Sequence, residues 1–154
     1  MTARIDYAAV APDVYKALIG THTALKKSGF DVKLMDLVFQ RVSQINGCAY
    51  CVDMHGRDLR AAGEPPERLD GLAAWDESPY FDEREKAALA WAESVTQIAT
   101  SRAPDDVYAR MREHFSERDA THLTFAIALM NALNRIAIAM RRGPVKKATS
   151  TSSS

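Results

Sequence analysis

The sequence predicts an all-α protein: a bundle of about six or seven helices with a Cys-x-x-Cys pair at the N-terminus of a central one. Apolar residues recur mainly at helical spacing, no segment shows the strict alternation of a half-buried strand, and the periodic stretches end on Gly, Pro or capping residues. At 154 residues the chain reads as one domain, 1–145, large enough to bury a core without disulfide staples. The small polar tail, 146–154, is expected to be disordered.

The first helix is expected from Pro12 to Ser28, with Pro12 at its first position, Gly29 as its stop, and Val14, Leu18 and Leu25 as an apolar stripe beside Tyr15 and Ile19. The second starts near Asp31 and turns Leu34, Leu37, Val38, Val42 and Ile45 inward until Asn46-Gly47 breaks it. Cys48 opens the third, which runs to Ala62; there Gly63 can turn left-handed and Glu64-Pro65-Pro66 forbids continuation. A short helix from Pro66 to Ala73 precedes a loop between Trp75 and Phe81. Asp82 and Glu85 form a capping box for a helix to about Ala99, whose apolar face is Ala87, Ala88, Leu89, Trp91, Val95 and Ile98. Pro104 sits in the first turn of the next helix, ending near Phe115; Ser116 and Asp119 cap the last, which runs to about Arg142 before Gly143-Pro144. Being apolar on most sides, that last helix is central to the bundle, covered by another subunit, or both.

Twenty basic and twenty acidic residues cancel, and no basic block suits a phosphate backbone or an anionic bilayer, so neither nucleic acid nor membrane is an expected partner. Leu123 to Met140 is long enough to raise the question of a membrane span, but it carries Asn131, Asn134 and Arg135. An unpaired Arg there costs roughly 2.5–3.5 kcal/mol on insertion scales, so a buried bundle helix is the expectation, with the two Asn and the Arg hydrogen-bonded inside it or across subunits. The start, Met1 to Tyr7, has no apolar core of secretory length, which points to the cytoplasm. A Cys-x-x-Cys pair in that reducing compartment is redox-active or metal-binding more often than structural.

Cys48-Ala-Tyr-Cys51-Val-Asp-Met-His55 contains the chain's only 2 cysteines. Steps of three and four on a helix stack Cys48, Cys51 and His55 on one face. A thiolate, not a thiol, attacks peroxides and disulfides, and both a helix N-terminus and Cys-x-x-Cys pairing lower a thiol pKa from its usual ~8.5. His55 can take that proton or hydrogen-bond the sulfur. After attack on a peroxide the sulfur becomes a sulfenic acid, which the other thiol can trap as a Cys48–Cys51 disulfide, so no further cofactor is required. The pair can equally pass electrons by thiol–disulfide exchange.

Other readings of these residues stand beside that one. Two lone cysteines can be small buried hydrophobes. Zinc could take Cys48, Cys51 and His55, with Asp36, His22, His114 or His122 as a fourth ligand at no familiar spacing. Haem attachment needs a His directly after the second Cys, where Val52 stands, and a thioredoxin-type pair needs a preceding strand. His22, His114 and His122 lack a partnered motif and read as surface or core positions. Trp75, Tyr80 and Phe81 could border a cleft, although loop aromatics more often cover a core.

Ser43-Gln-Ile-Asn-Gly-Cys-Ala-Tyr-Cys-Val-Asp-Met-His55 resembles the signature of the alkyl hydroperoxidase D (AhpD) family, within the carboxymuconolactone decarboxylase superfamily. Glu85-x-Ala87-Ala-Leu-Ala-Trp91-Ala-Glu93-x-x-Thr96 and Asn131-Ala-Leu-Asn134-Arg135 resemble the family's later helices, leaving out only the first dozen residues and the tail. The resemblance implies an AhpD-like helical fold assembling as homo-trimers or hexamers, and a peroxidase or disulfide reductase in antioxidant defence. It implies catalytic residues too: Cys51 forming the sulfenic acid, Cys48 resolving it, His55 as base, and Asp36 where the family's relay has a glutamate one methylene longer. It also implies a hydroperoxide substrate, a lipoylated or thioredoxin-like electron donor and a peroxiredoxin acceptor. Tyr50, where the best-known members have a histidine, reads as packing or pocket wall. Two alternatives belong to other classes: a decarboxylase of muconolactone type, which does not use a Cys pair, and a non-catalytic oligomeric or zinc-binding module.

Overall fold

The computed structural model describes residues 2–144; the tail expected to be disordered lies outside them. Among the described residues there are nine α-helices and no strand: α1 Tyr7–Val10, α2 Pro12–Lys27, α3 Val32–Asn46, α4 Ala49–Ala61, α5 Pro66–Gly71, α6 Glu83–Thr96, α7 Ile98–Ser101, α8 Asp105–His114 and α9 Glu117–Ala139. A 3-10 turn, Leu72–Ala74, follows α5. The all-α expectation holds, with more helices than six or seven because two single turns, α1 and α7, stand apart from the long elements.

α3 is the centre, with α9, α4 and α6 packed around it. Its Leu34, Met35, Val38, Phe39 and Val42 meet Ala88, Trp91, Ala92, Leu123, Ala126, Ile127 and Met130 in one continuous core. Trp75 and Phe81 close a smaller cluster with Leu37, Leu72 and Leu89, so the loop aromatics cover core, while Tyr80 is exposed. α9 has the length and apolarity of a membrane span, yet it lies along α3, α6 and α2 as a bundle helix.

Local signals fix the ends. Asp31, Asp82 and Ser116 each accept a hydrogen bond from a backbone N–H of the first turn, and Asp82 with Glu85 completes the capping box. Two boundaries and one helix face differ from expectation. α6 stops at Thr96 and a separate turn begins at Ile98, which leaves Ile98 exposed rather than on the apolar face. Val14 is likewise 74% exposed, because Tyr15, Leu18 and Ile19 supply the inward side of α2. α9 ends at Ala139: Arg141 takes a left-handed φ of 55°, and the Arg142 N–H returns to the Ala137 carbonyl at 2.9 Å.

A buried amide network ties α3 to α9. The Asn46 side-chain NH₂ donates to Oδ1 of both Asn131 and Asn134 at 3.0 Å, Asn134 donates to the Ser43 hydroxyl at 3.1 Å, and Asn131 donates to the Thr96 hydroxyl at 3.1 Å. Arg135 donates to Asn131 Oδ1 at 2.8 Å. The polar residues of the last helix are therefore the hydrogen-bonded structural groups the sequence implies. Replacing Asn134 by Leu removes an acceptor from the Asn46 side chain and the donor to the Ser43 hydroxyl; urea denaturation should show about 1–3 kcal/mol of lost stability, and a change within a few tenths of wild type would remove the network from the fold's determinants.

Candidate active site

α3 ends as the Asn46-Gly47 turn predicts. Gly47 has a φ of 69°, its N–H reaches the Gln44 carbonyl at 3.2 Å, and the Cys48 N–H reaches the Ser43 carbonyl at 3.0 Å. This is a closed helix terminus whose second residue outside is itself the N-cap of α4. Two helices meet within three residues, and Cys48 is shared between one's end and the other's start.

Cys48 Sγ accepts from the Cys51 backbone N–H at 3.3 Å, as a capping oxygen would. The two sulfurs are bonded to each other, with the Cα atoms 5.3 Å apart. Both are buried, at 1% and 3% exposure. One turn on, His55 is 7% exposed. A Cβ at Gly56 beside it would meet Arg60 Nη1 at 3.1 Å and Gln40 Nε2 at 3.4 Å, so the end of the Arg60 side chain would have to shift.

A cavity of about 370 Å³ opens over this face, within the usual range for small-molecule sites. Cys51, His55 and Asp36 line it; Cys48 does not. Ile19, Met54, Met130, Leu133 and Ala137 give it an apolar wall, and Tyr50 is a wall residue as expected. The structure thus brings together Cys51, His55 and Asp36 on one space and sets Cys48 behind Cys51. Trp75, Tyr80, Phe81, His114 and His122 do not line that cavity. Among the described residues no three His, Cys, Asp or Glu side chains are grouped as a metal site requires.

The sequence reading missed His22, Lys26, Tyr7, Tyr15 and Arg142, which also line the cavity. A signal existed for three of them: Tyr15, Ile19, His22 and Lys26 fall at steps of four, three and four on one face of α2. His22 and His55 both pack near Phe39, with ring centroids 5.6 and 5.4 Å from its own. The Nε2 atoms of both imidazoles are buried without a hydrogen-bond partner.

Burial sets the protonation states. It is the main reason the His55 pKa is lowered to about 4; Asp58 opposes, while His22 and Lys26 push the same way. His22 is lowered as well, by burial and then Lys26. Burial pushes the half-buried Asp36 carboxyl up, with Lys26 opposing and Asp58 adding to the rise. Near neutral pH the site therefore offers a neutral imidazole, able to accept a proton, beside the sulfur that faces the cavity.

The carboxymuconolactone decarboxylase family model matches residues 12–94. The chain belongs to this family. It is 40% identical over 140 residues to the uncharacterised protein YdfG of Bacillus subtilis (strain 168), covering 91% of this chain and 95% of that one. Among solved structures it is similar, at 38% identity and a TM-score of 0.90, to a protein of unknown function from Agrobacterium tumefaciens for which the role of antioxidant defence protein AhpD has been put forward; the match covers 94% of this chain and all (100%) of that one. An uncharacterised peroxidase-related protein from Ralstonia eutropha JMP134 with an alkylhydroperoxidase AhpD core matches at 27% identity and a TM-score of 0.78, over 90% of this chain and 74% of that one. The fold is AhpD-like and the chain is an AhpD-like member of the superfamily.

The buried histidines make stability depend on pH. Their folded pKa values lie below the unfolded 6.5, so between pH 6.5 and about 4 the unfolded chain binds protons that the folded chain refuses. Stability of the oxidised protein should fall as pH drops through that window, with His55 contributing up to about 3 kcal/mol. Urea melts at pH 7 and 5 check this, and His55→Phe should flatten the slope; an equal slope in that variant would refute the assignment to His55.

Proposed function

We propose that this protein is a thiol-dependent peroxidase and disulfide oxidoreductase acting on hydroperoxides in antioxidant defence. The observation that supports it most is the asymmetry of the pair: Cys51 faces a cavity shared with a neutral His55, and Cys48 lies behind it within bonding distance. In the proposed cycle His55 takes the Cys51 proton, and the thiolate attacks the terminal peroxide oxygen. The S–O bond forms as O–O breaks, and the leaving alkoxide takes the proton from His55 to depart as alcohol. Cys48 then attacks the Cys51 sulfenic acid; S–S forms, S–O breaks, and hydroxide leaves as water with the Cys48 thiol proton. An external dithiol, such as a lipoylated or thioredoxin-like protein, supplies the two electrons that reopen the disulfide. A peroxiredoxin could in turn accept electrons from the reduced pair by the same exchange.

Asp36 faces the same cavity, and a water would let its carboxylate hold the imidazole in register despite its short arm. The apolar wall suits the organic part of an alkyl hydroperoxide. The cytoplasm, where dithiol donors are abundant, is the compartment this chemistry needs.

Assembly into trimers or hexamers belongs to the same reading. Phe125 and Ile138 are exposed on the outward side of α9, and Tyr108, Thr121, Phe125 and Ala128 line a groove between α8 and α9. Phe125→Glu should shift sedimentation toward the monomer; an unchanged oligomer would place the interface elsewhere.

Peroxide consumption with a dithiol donor tests the cycle. Cys51→Ser should lose activity to background. Cys48→Ser should still form one sulfenic acid, trapped by dimedone at Cys51, without turning over. His55→Asn should lower kcat/KM by about 10²–10⁴-fold. Equal rates in wild type and Cys51→Ser would overturn the proposal.

A further inference from the structure

Three charged cavity residues, Lys26, Asp58 and Arg142, have no part in the cycle above. Arg142 enters from the turn that ends α9, lays its guanidinium over Tyr50 with Cζ 4.3 Å from the ring centroid, and donates to the Tyr7 hydroxyl at 2.9 Å. None of the ion pairs among the described residues includes it. Its partners are phenols: Tyr7, Tyr15 and the face of Tyr50. Tyr50 immediately precedes Cys51, and Arg142, Tyr50 and Cys51 share one cavity wall.

We propose that the Arg142 guanidinium, held over Tyr50 at the cavity wall, is the cation that stabilises the Cys51 thiolate once the disulfide is reduced. The inference rests on Cys51 as the attacking thiol. A guanidinium stays charged at any working pH, and an aromatic face replaces part of its hydration without neutralising it. Its charge therefore persists at the edge of the cavity that Cys51 also lines, where a nearby cation favours thiolate over thiol.

The other charged and titratable groups around the cavity do not supply this field as directly. Lys26 on α2 is in none of those ion pairs either, but its charge acts on the Asp36 carboxyl of α3 and falls also on His22 and His55. Asp58 on α4 acts on His55 and Asp36 and would oppose a thiolate. Both imidazoles have lowered pKa values, so neither is a standing charge near neutrality; His55 gains one only with the Cys51 proton itself. That leaves Arg142 as the cavity cation with no carboxylate set against it among the described residues.

The test is the pH profile of Cys51 alkylation by iodoacetamide in the fully reduced protein, read by mass mapping. Each event forms S–C, breaks C–I and releases iodide, at a rate that follows the thiolate fraction. Arg142→Gln should raise the Cys51 pKa by about one pH unit, a roughly tenfold slower alkylation on the acid side, while Arg142→Lys should stay near wild type. Arg4 holds the N-terminal segment to the end of α9 through the Ala139 carbonyl, outside the cavity. Arg4→Gln removes the same unit of charge, loosens the same segment, and should leave the profile unchanged. Should Arg142→Gln fail to fold, Arg142→Met, which keeps the stem over Tyr50, takes its place.

An unchanged profile in the neutral variant overturns the proposal, as does an equal shift in Arg4→Gln or in Arg142→Lys. A wild-type Cys51 that titrates as an ordinary thiol near ~8.5 removes the attacking-thiol assignment itself, and this inference with it, whatever the variants do.

Discussion

Asn46 is the point on which the site's geometry depends. Its amide group is shared between Asn131 and Asn134 of α9, and its backbone is the last helical residue before Gly47. A buried amide with satisfied donors is inexpensive, but one robbed of partners carries its full desolvation cost, so the end of α3 has essentially one place to be. Because the N-cap of α4 follows two residues later, that single anchoring also fixes where Cys48 stands and along which line Cys51 and His55 are stacked. The redox pair thus inherits its position from a polar network in the core rather than from a flexible loop.

Two sulfurs three residues apart on a helix start are nearly equivalent in sequence, yet the bundle makes them unequal. Cys48 and Cys51 both pack with Ala137 of α9, but only Cys51 also lines the cavity. A group that must meet a substrate needs that access. A group that only has to reach its neighbour's sulfur does not, and is better shielded from over-oxidation where it is.

What the sequence made legible was local. Caps, the Gly47 and Gly63 stops, and the spacing of Cys48, Cys51 and His55 are decided by a few adjacent residues, and the structure has them where expected. What stayed hidden depends on distant parts of the chain meeting. Tyr7, His22 and Lys26 come to the cavity from the first two helices and Arg142 from the far end of the chain, and the packing of α2 against α9 brings them together. Reading α2 for an apolar stripe alone assigned Val14 inward and left His22 outside any motif; its real inward face mixes Tyr15 and Ile19 with an imidazole and an ammonium. The end of α9 was hidden for a related reason. Gly143 is the residue expected to turn the chain, but Arg141 does so, and the turn carries Arg142 to Tyr50 and Tyr7.

The low pKa of His55 looks at first unsuited to a base, and the proposed cycle explains why it suits the site. A proton taken from Cys51 leaves a thiolate and an imidazolium side by side, and their attraction offsets part of the cost of charging a buried ring. Once the thiolate is consumed in attack, that attraction is gone and burial again disfavours the imidazolium. The proton is then held most weakly at the moment the departing alkoxide requires it, which is the condition for efficient general-acid transfer. Lys26 and His22, which push the His55 pKa the same way, add to that release, so a cavity that makes His55 a weak base at rest makes it a strong acid one step later.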